Sequence, residues 1–258
     1  MFHKIASFFC FILKSKNEHG VHSPFVFDLI TTCFYVKKNN HDLTILSNYK
    51  EDLSKHSSLQ EIYDFNFLSN ILLSEKKKRE KIIKDYGVSN KRTRLLINII
   101  QYLKPRSILE IGTSVGINTV TLASALENFK IITVEENEQS INISRELFKK
   151  YNLKQIELLT GKLDVVLPDV FNKNTFDFIY FKNYDITKKV LKYFEASVSS
   201  IHNNSVCLVE NIHIDKESEQ VWEQIKQHEK VTVTIDTYRW GLVFFRKEQE
   251  KEHFIIRI

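Results

Sequence analysis

The sequence predicts an α/β fold: a mainly parallel sheet with helices on both faces, ending in an antiparallel hairpin and preceded by a helical extension. Three observations predict it. Beyond Pro105, short apolar runs alternate with stretches of helical periodicity. The last two apolar runs lie too close together for a crossover helix. Between the first run and the helix after it stands a turn with two glycines, Glu110-Ile-Gly-Thr-Ser-Val-Gly116.

Taken in order, Ser23-Pro24 has the form of a helix N-cap followed by proline at the first helical position. Phe25, Val26, Leu29 and Ile30 then recur at helical spacing. Residues 42–91 mix Lys, Asn and Ser with apolar clusters at 62–67 and 67–73, and read as helical or irregular. Leu95, Leu96, Ile99, Ile100 and Leu103 form a helical stripe ended by Lys104-Pro105. Five buried strands follow at 107–111, 131–135, 156–160, 176–181 and 205–210, with helices at 139–151 and 187–201 among the segments between them. Lys230-Val-Thr-Val-Thr-Ile-Asp236 and Gly241-Leu-Val-Phe-Phe-Arg246 make the hairpin, for seven strands in all. The division expected is an N-terminal extension, residues 1–90, and a core domain, residues 91–258.

Composition sets limits on function. With 43% hydrophobic and 27% charged residues the chain is an ordinary globular one. A net charge of +5 is too mild to specify nucleic acid, and the basic run Lys76-Lys-Lys-Arg-Glu-Lys81 reads as a solvated helix face. Three cysteines with no CxxC spacing imply free thiols in a reducing, cytoplasmic setting. The apolar stretch 5–13 is too short to span a membrane and lacks a cleavage site. An amphipathic segment docked on the core is expected there, with peripheral membrane contact the lesser alternative.

The turn at 112–116 sits at the carboxyl edge of the sheet, where open α/β folds bind ligands. Gly112 permits a sharp turn and Gly116 a close approach. The dinucleotide pattern GxGxxG is absent, because residue 114 is Ser and the second glycine stands at 116. The second strand ends in Glu135, a carboxylate placed to accept hydrogen bonds from a ribose diol. Loop and acid together suggest an adenosine-containing ligand.

On E-x-G-x-x-x-G and the terminal hairpin, the sequence resembles the class I S-adenosylmethionine-dependent methyltransferases with their Rossmann-like fold, in the catechol-type O-methyltransferase branch. It is similar in particular to a bacterial group with H-G-V-H-S-P-F near the N-terminus (His19 to Phe25 here) and a characteristic C-terminal block (Val231 to Arg257). The resemblance implies S-adenosylmethionine as cofactor, held by the loop with Glu110 and Thr113. Gly112 and Gly116 would border its amino-acid portion, Asn118 its carboxylate, Glu135 the ribose and Asp164 the adenine. Relatives often carry an acid after the glycine at 161, where Lys162 stands here, and a glycine-rich D-F-G segment where this chain has Asp64-Phe-Asn66.

The reaction centre departs further. Metal-dependent relatives have a magnesium-binding aspartate after the fourth strand, whereas this chain reads Tyr180-Phe-Lys-Asn-Tyr184. The Lys182 ammonium would repel a divalent ion by several kcal/mol, so no metal site is expected. After the fifth strand stand Glu210-Asn-Ile-His213, and either Glu210 or His213 could deprotonate an acceptor hydroxyl, His213 being the better matched near neutral pH. His19 and His22 read as capping and packing residues rather than a metal pair. The expectation is metal-free O-methyl transfer to a small molecule, nucleic acid being a disfavoured acceptor, in a chain whose relatives often form homodimers. A catalytically degenerate binding protein of the same fold is the alternative.

Overall fold

The computed structural model describes residues 2–36, 43–59, 90–182 and 187–258. The apolar clusters at 62–67 and 67–73, Asp64 to Asn66, the basic run 76–81, Asn183 and Tyr184 lie outside the described residues. The chain divides into two compact units, one comprising residues 1–35, 105–111 and 167–258, the other residues 36–104 and 112–166.

The first unit contains strands β1 (Ser107–Ile111), β4 (Phe178–Phe181), β5 (Val206–Glu210), β6 (Val233–Asp236), β7 (Trp240–Phe244) and β8 (Glu252–Ile255). Their order is β1-β4-β5-β7-β6-β8. β1, β4 and β5 are parallel, and their residues are buried almost throughout, as continuous apolar runs such as Phe178-Ile-Tyr-Phe181 require when both faces are covered. β7 runs antiparallel to both β5 and β6, which is the expected hairpin. Its turn is three residues long, and Tyr238 takes a left-handed conformation there with φ +71°.

The strand count corrects the expectation of seven. Among the described residues there are eight, because Glu252-His-Phe-Ile255 pairs parallel with β6. Only four residues long and half exposed, β8 lacks the continuous apolar run that marked the others. Lys16 bridges to Ile256 beyond it, so the outer edge of β8 is itself paired.

The second unit holds β2 (Lys130–Glu135) and β3 (Ile156–Thr160), paired parallel from Ile131 with Ile156 to Glu135 with Thr160. Its helices have boundaries that the sequence explains. The helix α4 (Asn90–Leu103) stops before Pro105, and α6 (Glu138–Lys150) opens on Asn137, whose side chain accepts the Ser140 N–H. The helix α3 (Thr44–Lys55) precedes α4, and α5 (Ile117–Ala123) lies between α4 and α6 in sequence. Leu46, Tyr49 and Leu53 of α3 pack with Val115, Val120 and Phe148 in one fully buried cluster.

In the first unit, α1 (Phe2–Lys14) forms where a docked amphipathic segment was expected, with part of its apolar surface left outside. Ser7 and Phe11 are buried, while Ile5, Phe9 and Leu13 point to solvent. The helix α2 (Pro24–Leu29) opens as predicted, with the Ser23 hydroxyl accepting the Val26 N–H. Phe25 meets Phe244 edge to face at 5.1 Å and carries the Arg246 guanidinium over its ring at 4.5 Å. The two sequence blocks at the chain ends are thus joined by an aromatic and cationic contact. His19 is exposed beside Glu18.

Candidate functional site

In the second unit the residues after β1 turn through Gly112 (φ +96°), Ser114 (φ +51°) and Gly116 (φ +76°). The turn is anchored to β2. Gly112 and Thr113 both donate to the Val134 carbonyl, and the hydroxyls of Thr113 and Thr133 bond at 2.6 Å. Glu135 lies against this loop: one carboxylate oxygen accepts the Ser114 N–H at 2.5 Å, the other the N–H groups of Glu136 and Asn137 at 2.9 and 2.8 Å. Only 8% exposed, the carboxylate is held, among the described residues, by backbone dipoles rather than by a counter-ion.

This arrangement bears directly on the expected cofactor. The Glu135 oxygen facing Ser114 retains one lone pair, whereas the other oxygen already receives two donors. One ribose hydroxyl can therefore be accepted without disturbing the loop, not the two expected. The Ser114 hydroxyl is buried with no hydrogen-bond partner among the described residues, a polar atom that a ligand would satisfy. Gly116 is different: a Cβ there would lie 2.3 Å from the Tyr49 hydroxyl and 2.7 Å from the Phe148 ring. Its missing side chain admits the protein's own aromatics, and Tyr49 donates to the Val115 carbonyl at 2.9 Å. The loop and its acid thus fit the nucleoside end of the cofactor, while the space beside Gly116 is filled.

Asn118 is buried in α5, and Asp164 is exposed in the first turn of α7 (Leu163–Lys173). The strand-end acid and the next loop are tied by backbone, since Gly161 donates to the Glu135 carbonyl and Leu163 to the Glu136 carboxylate. Sequence reasoning missed Ser114, Tyr49 and Glu136. The first carried a signal, since a polar residue inside a glycine turn exposes its side chain to whatever the turn holds. Tyr49 comes from a distant helix and carried none.

The first unit holds the remaining predicted residues. Glu110 lies fully buried on β1 opposite Tyr180, and Lys182, at the end of β4, is 6% exposed and donates its N–H to the Ile111 carbonyl. Glu210 ends β5 opposite Trp240, whose indole N–H reaches its carboxylate at 3.5 Å. Asn211 then takes φ +57°, a conformation asparagine tolerates, and turns the chain toward His213.

Both His213 ring nitrogens are engaged. Nδ1 lies 2.8 Å from Glu219 on α9 (Lys216–Gln227), the helix that follows α8 (Thr187–Ser197), and Nε2 lies 2.7 Å from Asp236 at the end of β6. Tyr238 stacks on the ring at 5.3 Å and 11°. Burial by itself draws the imidazole pKa down, but the hydrogen bonds and charges of Asp236 and Glu219 outweigh it and hold the group above its ordinary value. Burial likewise raises Glu219, yet the Ser7 hydroxyl and His213 bring it below the usual carboxylate range. Ser7 and His3 reach this cluster from α1. Beside it opens a cavity of about 1150 Å³, lined by Ser7, Cys10, His213, Glu219 and Asp236 among others.

With this geometry in view, the comparisons place the chain. Residues 60–247 match the O-methyltransferase family model, and the chain belongs to that family. Among solved structures, the O-methyltransferase of Bacillus cereus in complex with SAH is 20% identical, with a TM-score of 0.55 over 78% of this chain and 100% of that one. The O-methyltransferase TomG of Streptomyces achromogenes in complex with SAM is 16% identical, with a TM-score of 0.56 over 82% and 99% of the two chains. A curated relative, the ribosomal RNA small subunit methyltransferase G of Mycoplasma capricolum, is 23% identical over 124 residues, 48% of this chain and 43% of that protein. The match thus spans less than half of that relative's length. No helix among the described residues is long and apolar enough to cross a membrane.

Proposed function

We propose that the chain is an S-adenosylmethionine-dependent O-methyltransferase that acts on a small-molecule hydroxyl without a metal ion. The observation that carries the reading is Glu135 held against a glycine turn, with a spare lone pair and the unpartnered Ser114 hydroxyl beside it. Gly112, Thr113, Ser114 and Glu135 would hold the cofactor, with Glu110, Gly116, Asn118 and Asp164 in supporting positions. The bound cofactor supplies an electrophilic methyl group on sulfur. The chain's own residues must orient the acceptor oxygen and remove its proton.

His213 was the better-matched base in the sequence. With a carboxylate on each ring nitrogen, it has no lone pair free for an acceptor proton. The reading therefore assigns proton removal to Glu210 and makes His213 a positioning residue, with Lys182 as a fixed cation of the acceptor side. Family membership supports catalysis over a binding-only role. The free cysteines support a reducing, cytoplasmic setting.

Isothermal titration tests the proposal first: S-adenosylmethionine should bind wild type, and Glu135→Ala should weaken it at least tenfold. Phenolic and catechol acceptors should then be methylated equally with and without chelator. No binding heat from the wild-type chain would sink the reading, and turnover abolished by chelator would sink its metal-free part. Transfer of the methyl group to ribosomal RNA instead would replace the small-molecule acceptor with the class that the Mycoplasma relative's name denotes.

A further inference from the structure

The face of α1 that points to solvent is apolar where a surface helix should be polar. Ile5, Phe9 and Leu13 recur at i, i+4 and i+8 and so share one face, on which they are 48%, 62% and 85% exposed. The opposite face carries Ser7, bonded to Glu219, and His3, within 3.4 Å of the same carboxylate. Phe11 is buried, but beside it the helix turns Ser7 and His3 to the protein and leaves Ile5, Phe9 and Leu13 outside, where a docked surface helix carries polar residues. A shallow groove beside it is lined by Ile5, Phe8, Phe9, Tyr238, Lys4 and Arg239, with two cations and no carboxylate among its principal residues.

We propose that this face is a docking surface for an acidic lipid bilayer, with Phe9 and Leu13 entering the acyl boundary and Lys4, Lys14, Lys16 and Arg239 meeting the head groups. Charge decides between a bilayer and a second copy of the chain. The segment Phe2-His-Lys-Ile-Ala-Ser-Phe-Phe-Cys-Phe-Ile-Leu-Lys14 has no acidic residue. An isologous pairing through this face sets the same patch against itself, so its flanking cations would meet cations with no carboxylate from α1 to neutralise them. A phosphate surface supplies the missing charge, and the chain's net charge of +5 has the same sense. Apolar insertion combined with attraction to anionic head groups is the binding mode of interfacial helices. The surface does not rest on the cofactor reading, since none of these side chains belongs to the cofactor loop.

Cosedimentation of the full chain with vesicles tests it, using phosphatidylcholine alone and phosphatidylcholine with phosphatidylglycerol. The expected result is binding to the acidic vesicles only, weakened by raised salt. Phe9→Asp and Leu13→Asp should each reduce it at least about tenfold, a factor set by the transfer of one large apolar side chain. Lys4→Glu with Arg239→Glu should abolish the preference for acidic lipid. Because Phe9 and Leu13 are exposed, thermal melts of these variants should match wild type. Absence of binding to acidic vesicles, or equal binding to neutral ones, overturns the proposal. So does sedimentation velocity showing a dimer that Phe9→Asp converts to monomer while vesicle binding is absent, which would assign the face to a second copy.

Discussion

At Glu135 a buried carboxylate is met by three backbone N–H groups, whereas at His213 a half-buried ring is met by two carboxylates from other elements. The first arrangement is local: its donors at 136 and 137 follow the acid in the chain, and the Ser114 donor sits in a loop bonded to the same strand. It needs no protonation partner. The second draws on α1, the β5 end, α9 and the β6 end, and its strength depends on the charge state of an imidazole. A site built from backbone is fixed by the fold, while a site built from titrating side chains is set by pH as well.

The largest effect should separate packing from ligand contact at Gly116. Gly116→Ala combines a left-handed φ with a Cβ driven into Tyr49 and Phe148, at a cost of about 2–4 kcal/mol. Chemical denaturation should show the loss, and the double variant with Tyr49→Phe should recover part of it, because the nearest clash is with the hydroxyl. If Gly116→Ala leaves stability intact but removes cofactor binding, the glycine serves the ligand instead. Glu135→Gln comes next. It exchanges charge-assisted hydrogen bonds for neutral ones, costing about 1–2 kcal/mol, a loss that chemical denaturation should show.

His213→Gln should cost a similar or smaller amount, about 1–2 kcal/mol, because the cluster is partly open to solvent. Its pH dependence is the sharper test. A histidine whose native pKa is raised binds more protons folded than unfolded, so its contribution is complete below about pH 6.5, the ordinary histidine value, and drains away as pH rises through the native pKa. Glu219 has the opposite sign, contributing above the ordinary glutamate range and losing its share as pH falls through the lowered native value. Thermal melts from pH 5 to 9 should therefore decline on the alkaline side in wild type and flatten there in His213→Gln. An unchanged slope in the variant would break the contrast with Glu135. The smallest effect concerns the thiols: burial pushes Cys33 up to about 12 and raises Cys207 as well, while Cys10 is exposed. A disulfide reagent should label Cys10 alone in the native chain and all three thiols after unfolding.

What the sequence made legible follows the same division. Continuous apolar runs located β1 and β3 to the residue and β2, β4 and β5 to within two, and Ser23-Pro24 and Lys104-Pro105 marked helix ends, because these signals act over a few neighbouring residues. The loop, its two glycines and Glu135 were legible for the same reason. β8 was not, since a short edge strand paired on a parallel neighbour needs no apolar alternation. Nor was the orientation of α1. Periodicity shows that two faces differ, but which one turns inward was decided by Glu219, more than two hundred residues away, and its bond to Ser7. The closure of His213 by Glu219 and Asp236 was hidden likewise, because spacing of six and twenty-three residues carries no pattern of its own.

Gly241, on β7, lies under the indole of Trp222, and a methyl group there would come within 2.5 Å of that ring. The two positions should therefore change together: a chain with alanine at 241 should need a smaller residue at 222 to fold well, and one that keeps tryptophan should need glycine. Divergent members of the lineage should accordingly exchange both residues or neither, and Trp222→Leu should make Gly241→Ala tolerable where it would otherwise be harmful.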